Sequence, residues 1–197
     1  RRNAAGHITV NVISVRPDRP TTVHGAAHGR PYAEHRRPRL VVGELLEPNA
    51  VHGGRTAYNQ LLSLALSNGS ARSRVAEVLD LVGLNSVSRK RAGGFSLGMG
   101  QRLGIATALL GDPQVLILDE PINGLDPEGV LWVRTLVNSL AAQGRTVFLS
   151  SHMMSEMAIT ADRLIIIGRG RLIAEGTVEE LLTSGSGSFL QLRPPHA

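Results

Sequence analysis

Residues 1–38 carry apolar and polar positions in no sustained period. Only Thr9-Val10-Asn11-Val12-Ile13-Ser14-Val15 alternates in the manner of a strand, and His24-Gly25-Ala26-Ala27-His28-Gly29 has no rhythm at all. Regular patterning begins near Leu40. Segments 59–67 and 74–83 then carry leucines and valines at helical spacing, separated by the breaker Asn68-Gly69-Ser70. A third helix is expected from near Ser96 through Leu103, Ala106, Leu109 and Leu110 to Gly111.

Beyond residue 113 the rhythm changes. Val115-Leu116-Ile117-Leu118 is a short, wholly apolar run that ends in Asp119-Glu120-Pro121, the pattern of a parallel strand buried on both faces. Asp126 as N-cap and Pro127 at the first helical position open a helix. Its stripe is Val130, Val133, Leu136, Val137 and Leu140, and Gly144 stops it. Thr146-Val147-Phe148-Leu149 reads as a second buried strand, closing on Ser150-Ser151-His152. Two further strands are expected over Arg163 to Gly176, joined at Gly168-Arg169-Gly170, and Thr177-Val178-Glu179-Glu180 forms a capping box for a short helix. Trp132 and the Met153-Met154 pair are read as helix packing. Strand, helix, strand with polar residues at the strand ends predicts an α/β fold with a mostly parallel sheet. Ligands of such sheets sit at the carboxyl ends of the strands, so Asp119, Glu120 and His152 are expected along one edge of one crevice.

Composition narrows the function classes. With 197 residues, 42% hydrophobic and only 3% aromatic, the chain suits one domain with an aliphatic core. Absence of cysteine excludes disulfides and thiolate metal sites. The net charge of +5 is modest and its basic residues are scattered, apart from Arg36-Arg37 and Arg89-Lys90-Arg91, so no nucleic-acid partner is expected. No apolar run approaches the roughly 20 residues of a membrane span, and the opening Arg1-Arg2-Asn3 lacks the apolar core of a signal peptide. His24 and His28 have a spacing that a metal could use on a helix, but the glycines beside them argue against one.

Two carboxylates after a buried strand can divide the labour of nucleotide hydrolysis. Asp119 would hold Mg²⁺, directly or through water, and Glu120 would orient and polarise the attacking water. Alternatively, Asp-Glu-Pro only ends a strand and starts a turn. Three blocks bear on that choice. Leu118-Asp119-Glu120-Pro121-Ile122-Asn123-Gly124-Leu125-Asp126-Pro127 resembles the Walker B and D-loop block of ABC ATPases, and His152 matches the switch histidine of that family. Phe95-Ser96-Leu97-Gly98-Met99-Gly100-Gln101-Arg102 resembles the signature usually written LSGGQ, in a variant similar to the bacitracin and drug efflux branch. Val42-Gly43-Glu44-Leu45-Leu46-Glu47 occupies the Q-loop position, with Glu47 where most relatives have Gln.

The phosphate loop departs from the family pattern. Residues 1–9 fall on the Walker A motif, commonly GPNGAGKST, of which Asn3, Ala5, Gly6 and Thr9 match. The lysine position holds His7, the adjacent hydroxyl position Ile8, and two glycine positions hold Arg1 and Ala4. Glycine lets backbone curl around phosphate, and lysine carries a permanent charge that histidine at neutral pH mostly lacks. A hydrogen bond to a charged group contributes roughly 1.5–3 kcal/mol, so the lysine exchange alone would weaken binding about 10- to 150-fold.

The resemblance implies a P-loop NTPase-like sheet with an inserted helical subdomain, lacking the antiparallel strands that precede Walker A in the family. By that reading residues 1–183 form the cassette: 1–47 the P-loop and Q-loop part, 48–103 the helical subdomain with the signature, and 104–183 the Walker B, D-loop and H-loop core. Residues 184–197 would be a linker and tail. Glu120 and His152 would be catalytic, Asp119 and Glu47 would serve Mg²⁺, and Asn3, Gly6, His7, Thr9, Ser96, Gly98 and Asp126 would contact ATP. The implied partners are a second cassette and a membrane permease, with the chain on the cytoplasmic face of the membrane. An ATP-hydrolysing exporter subunit is the first expectation, and a degenerate, non-hydrolysing cassette is the alternative. A soluble ABC ATPase of translation or DNA repair comes last, because neither a second cassette nor an inserted arm is present.

Overall fold

A computed structural model of the chain describes residues 26–27, 30–31, 38–46 and 52–184. Its first elements are two short antiparallel strands, β1 (Ala26–Ala27) and β2 (Arg30–Pro31). A single helical turn, α1 (Pro38–Val41), leads into β3 (Val42–Leu45). Helices α2 (Ala57–Asn68) and α3 (Ser73–Leu81) follow, then the long α4 (Leu97–Leu109). Next come β4 (Val115–Asp119), α5 (Pro127–Ala142), β5 (Thr146–Ser150) and the short α6 (Met154–Thr160). The described part closes with β6 (Arg163–Gly168), β7 (Arg171–Thr177) and α7 (Val178–Ser184).

Local chemistry explains where these elements begin and end. Thr56 caps α2 by accepting the Asn59 N–H, and Gly69 in the left-handed region terminates the helix. Asp126 caps α5 with Pro127 behind it, as the sequence predicts. Gly144, at φ 86°, follows that helix and donates its N–H to Ala141. The Thr177–Glu180 capping box forms in full. Thr177 N–H donates to Glu180 Oε2 at 2.7 Å, and Glu180 N–H donates to Thr177 Oγ1 at 3.1 Å.

Strands β3, β4 and β5 form one parallel sheet in that order. The central β4 is buried on both sides. Leu116 and Leu118 face the main core with Leu103, Leu109, Val133 and Leu140, and Ile117 packs with Val42 on the opposite face. Burial of that kind contributes roughly 1.5–3 kcal/mol per large aliphatic side chain. Gly43 allows α4 to lie directly on β3, since a Cβ there would stand 2.1 Å from the Ala108 carbonyl oxygen. Strands β6 and β7 make a separate antiparallel hairpin. Its two-residue connection, Arg169 (φ 52°) and Gly170 (φ 72°), has the two positive φ values of a type I′ turn.

Three sequence expectations are corrected. The run 146–149 is not buried on both faces: β5 lies at the edge of the described sheet, with Thr146 and Phe148 exposed and Ser150 buried. Residues 42–45 of the segment assigned to the Q-loop are a parallel strand, because Val42 and Leu45 bury against the core instead of lining a loop. Met153 is exposed at the entrance of α6, and Met157 fills the core there; Trp132 does pack against the core, as expected. The strand expected over residues 9–15 and the pair His24 and His28 lie outside the described residues.

Candidate active site

Parallel pairing of β4 with β5 sets Asp119 opposite Ser150. The strand ends therefore deliver Asp119 and Glu120 from one side and Ser150, Ser151 and His152 from the other. Asp119 is buried at 7% exposure and its Oδ1 accepts a hydrogen bond from the Ser150 hydroxyl. The same hydroxyl oxygen accepts the Glu120 N–H at 3.0 Å. Glu120 is one of three described non-glycine residues at positive φ (47°). Such a conformation costs about 1–3 kcal/mol and persists only where its surroundings hold it.

The turn aims the Glu120 side chain across to β5. Nδ1 of His152 lies 3.0 and 3.1 Å from the two carboxylate oxygens. Glu120 is about a quarter exposed and the imidazole about two thirds, so the pair sits at an open rim. Behind it, the buried Gln101 donates its side-chain N–H to the Glu120 carbonyl at 3.4 Å. Strand α/β geometry thus brings an acid, a carboxylate base candidate and an imidazole to one place, the crevice position expected for this class of sheet.

Around that centre the remaining candidates divide. Ser96 caps α4, its hydroxyl oxygen accepting the Met99 N–H at 3.3 Å, and the residue is exposed. Gly98 lies on the first turn, where an added Cβ meets only Leu125 at an ordinary 3.7 Å. Asp126 is engaged in capping, with Oδ1 accepting the Gly129 N–H at 2.8 Å. Asn3, Gly6, His7, Thr9 and Glu47 lie outside the described residues. Besides that of Gln101, three contacts were not anticipated from sequence. Arg102 stacks over Trp132, 4.2 Å from the ring centroid, and reaches the Val82 carbonyl at 3.2 Å, tying α4 to α5 and to the end of α3. Arg134 pairs with Glu156 at 2.6 Å, fastening α6, the helix after His152, onto α5. Ser150 is the third, and strand parity could have found it: it is the residue directly across from Asp119.

Among the described residues no group of three or more His, Asp or Glu side chains could hold a metal ion. Asp119 by itself still fits Mg²⁺, a cation that takes one or two carboxylates from the protein and fills its remaining positions with water and phosphate oxygens.

A family model described as ABC transporter matches residues 2–123. The bacitracin transport ATP-binding protein BcrA of Enterococcus faecalis is 38% identical over 183 residues, covering 91% of this chain and 59% of that protein. The lantibiotic transport ATP-binding protein SrtF of Streptococcus pyogenes is 35% identical, covering 88% of this chain and 75% of its own length. Among solved structures, cbiO1 of Clostridium perfringens, part of an ABC transporter complex, superposes with a TM-score of 0.77 at 25% identity, over 92% of this chain and 76% of that one. The chain belongs to the ABC transporter ATP-binding family, and its fold is that of the ABC ATPase domains. It spans about three fifths of the length of BcrA. Nothing in these likenesses supports the non-hydrolysing alternative.

Proposed function

We propose that the chain is the ATP-binding subunit of an ABC exporter, coupling ATP binding and hydrolysis to transport through a separate membrane permease. The observation that carries this reading is the Glu120 carboxylate lying against His152 beside the buried Asp119, at the carboxyl ends of neighbouring parallel strands. Likeness to bacitracin and lantibiotic transport proteins supports an export role. No helix among the described residues is long and apolar enough to cross a membrane. The chain would then sit on the cytoplasmic face of the membrane, bound to that permease.

In this reading Glu120 accepts the proton of the attacking water through a carboxylate oxygen. His152, with Nδ1–H donated to the same carboxylate, holds its other ring nitrogen for the terminal phosphate. Asp119, kept in place by Ser150, would supply an oxygen ligand for Mg²⁺, and Glu47 would be a second acidic contributor. When bound, the cation would offset charge on the phosphate oxygens. Asn3, Gly6, His7 and Thr9 would cradle the phosphates of the same nucleotide, and Asp126 would border it. An open rim cannot exclude water by itself. The exposed start of α4, with Ser96 and Gly98, would therefore close over the nucleotide of a second cassette, and that cassette would close this one.

Direct binding of labelled ATP with Mg²⁺ to the 197-residue chain tests the reading. Micromolar binding that disappears in Asp119→Ala is the expected result. An absence of binding to the soluble, folded chain removes it. In any preparation that turns over ATP, Glu120→Gln should lower kcat by roughly 10²- to 10⁴-fold, the usual contribution of a positioned general base.

A further inference from the structure

We infer that Ser150 is a positioning residue: its hydroxyl, with Gln101 behind it, locks Glu120 in a left-handed backbone turn and thereby aims the Glu120 carboxylate at His152. The assignment of a catalytic consequence rests on the role proposed for Glu120. The clamp itself does not.

Three observations meet at Glu120. Its φ of 47° is a conformation that a residue with a Cβ avoids unless held. Both of its backbone polar groups are engaged by side chains. The N–H donates to Ser150 Oγ at 3.0 Å, and the carbonyl accepts from Gln101 at 3.4 Å as well as from the Asn123 N–H at 3.1 Å, which closes the turn. Both clamping residues are buried, Ser150 at 7% and Gln101 at 2% exposure, so neither contact competes with bulk water. A hydroxyl has one proton and free lone pairs. Ser150 spends the proton on Asp119 and a lone pair on Glu120, which fixes the direction of both bonds. The proposed cation ligand and the proposed base are thereby hung from one oxygen atom.

Turning the Glu120 backbone back toward an ordinary φ would swing its side chain off the line to His152. Alanine at 150 removes the N–H acceptor and the Asp119 donor together, whereas threonine keeps both. Gln101 adds a second consequence. It stands on α4, little more than one turn past the Ser96 cap, so a shift of that helix start pulls on the Glu120 carbonyl.

The test reads the imidazole ring nitrogens of His152 by ¹⁵N NMR in the full chain, without nucleotide. Glu120→Ala defines the resonance positions when the contact is lost. Ser150→Ala should move both ring nitrogens more than half of the way from wild type to those positions while the chain stays folded. Ser150→Thr should leave them near wild type, and Gln101→Ala should move them part of the way. A folded Ser150→Ala chain with wild-type ring resonances overturns the inference, as does a threonine variant that shifts as far as alanine. Should the alanine variant fail to fold, amide exchange of the wild-type chain decides. The Glu120 amide should exchange roughly tenfold or more slowly than an unbonded amide, and unprotected exchange there overturns the clamp. Because no ATP enters these measurements, loss of the clamp and loss of the proposed ATPase role are separate results.

Discussion

Strand β4 and the β6–β7 hairpin are both rich in leucine and isoleucine, yet they sit in opposite circumstances. β4 has a parallel neighbour on each side and side chains buried on both faces. The hairpin pairs only with itself among the described strands, and Ile165, Leu172 and Ile173 are 52–64% exposed. Stability of the first is therefore a property of the whole core, whereas the hairpin touches that core through Leu164 and leans on its own turn and the capping box that follows it. The candidate site hangs on the first kind of scaffold through Asp119, which is buried at the end of β4, while Glu120 and His152 stand at its open rim.

The sharpest way to break this contrast is truncation in each region. Leu116→Ala should cost about 2–5 kcal/mol in global unfolding by denaturant, whereas Leu172→Ala should stay within about 0.5 kcal/mol. Equal losses would mean that the hairpin belongs to the same cooperative core. Smaller, but still global, is the effect of uncapping α5. Asp126→Ala should lower stability by about 0.5–2 kcal/mol without altering the unfolding slope. Within the hairpin, Gly170→Ala forces a Cβ into φ 72° and should cost about 1 kcal/mol. Its signature is faster amide exchange confined to β6 and β7, with β4 unchanged.

The smallest expected effect is a pH dependence at α7. The Thr177 backbone N–H, and then its hydroxyl, hold the Glu180 carboxyl below its ordinary range, outweighing a slight opposing effect of burial. A lowered folded value means that this contribution is present at neutral pH. It is lost as acidity takes the solution down through the folded titration. The protection of α7 amides, taken relative to their intrinsic exchange at each pH, should fall in that acidic window. In Glu180→Gln the same window should be flat.

Much of this architecture was legible because its signals are local. Asp126-Pro127, Thr177 through Glu180, Arg169-Gly170 and the apolar run before Asp119 each name their own conformation. Burial of β5 was not legible, since Thr146-Val147-Phe148-Leu149 reads the same at an edge as in the middle of a sheet. Only knowledge of which strands flank it separates the two cases. At the site, Asp119, Glu120 and His152 were marked by residue type and strand ends. Ser150 and Gln101 were passed over because a serine and a glutamine have no distinctive chemistry until register and helix packing show what they touch. Glu47 and the phosphate-loop candidates Asn3, Gly6, His7 and Thr9 are named by motif alone.

The contact between Gly43 and Ala108 has a mechanical corollary. With no side chain between them, and with Leu45 filling the space beside Gly104, helix α4 and strand β3 cannot slide past one another without collision. They behave as a single splinted piece that cannot slip in register. A force applied at the exposed serine end is therefore delivered to the sheet as displacement of a rigid arm.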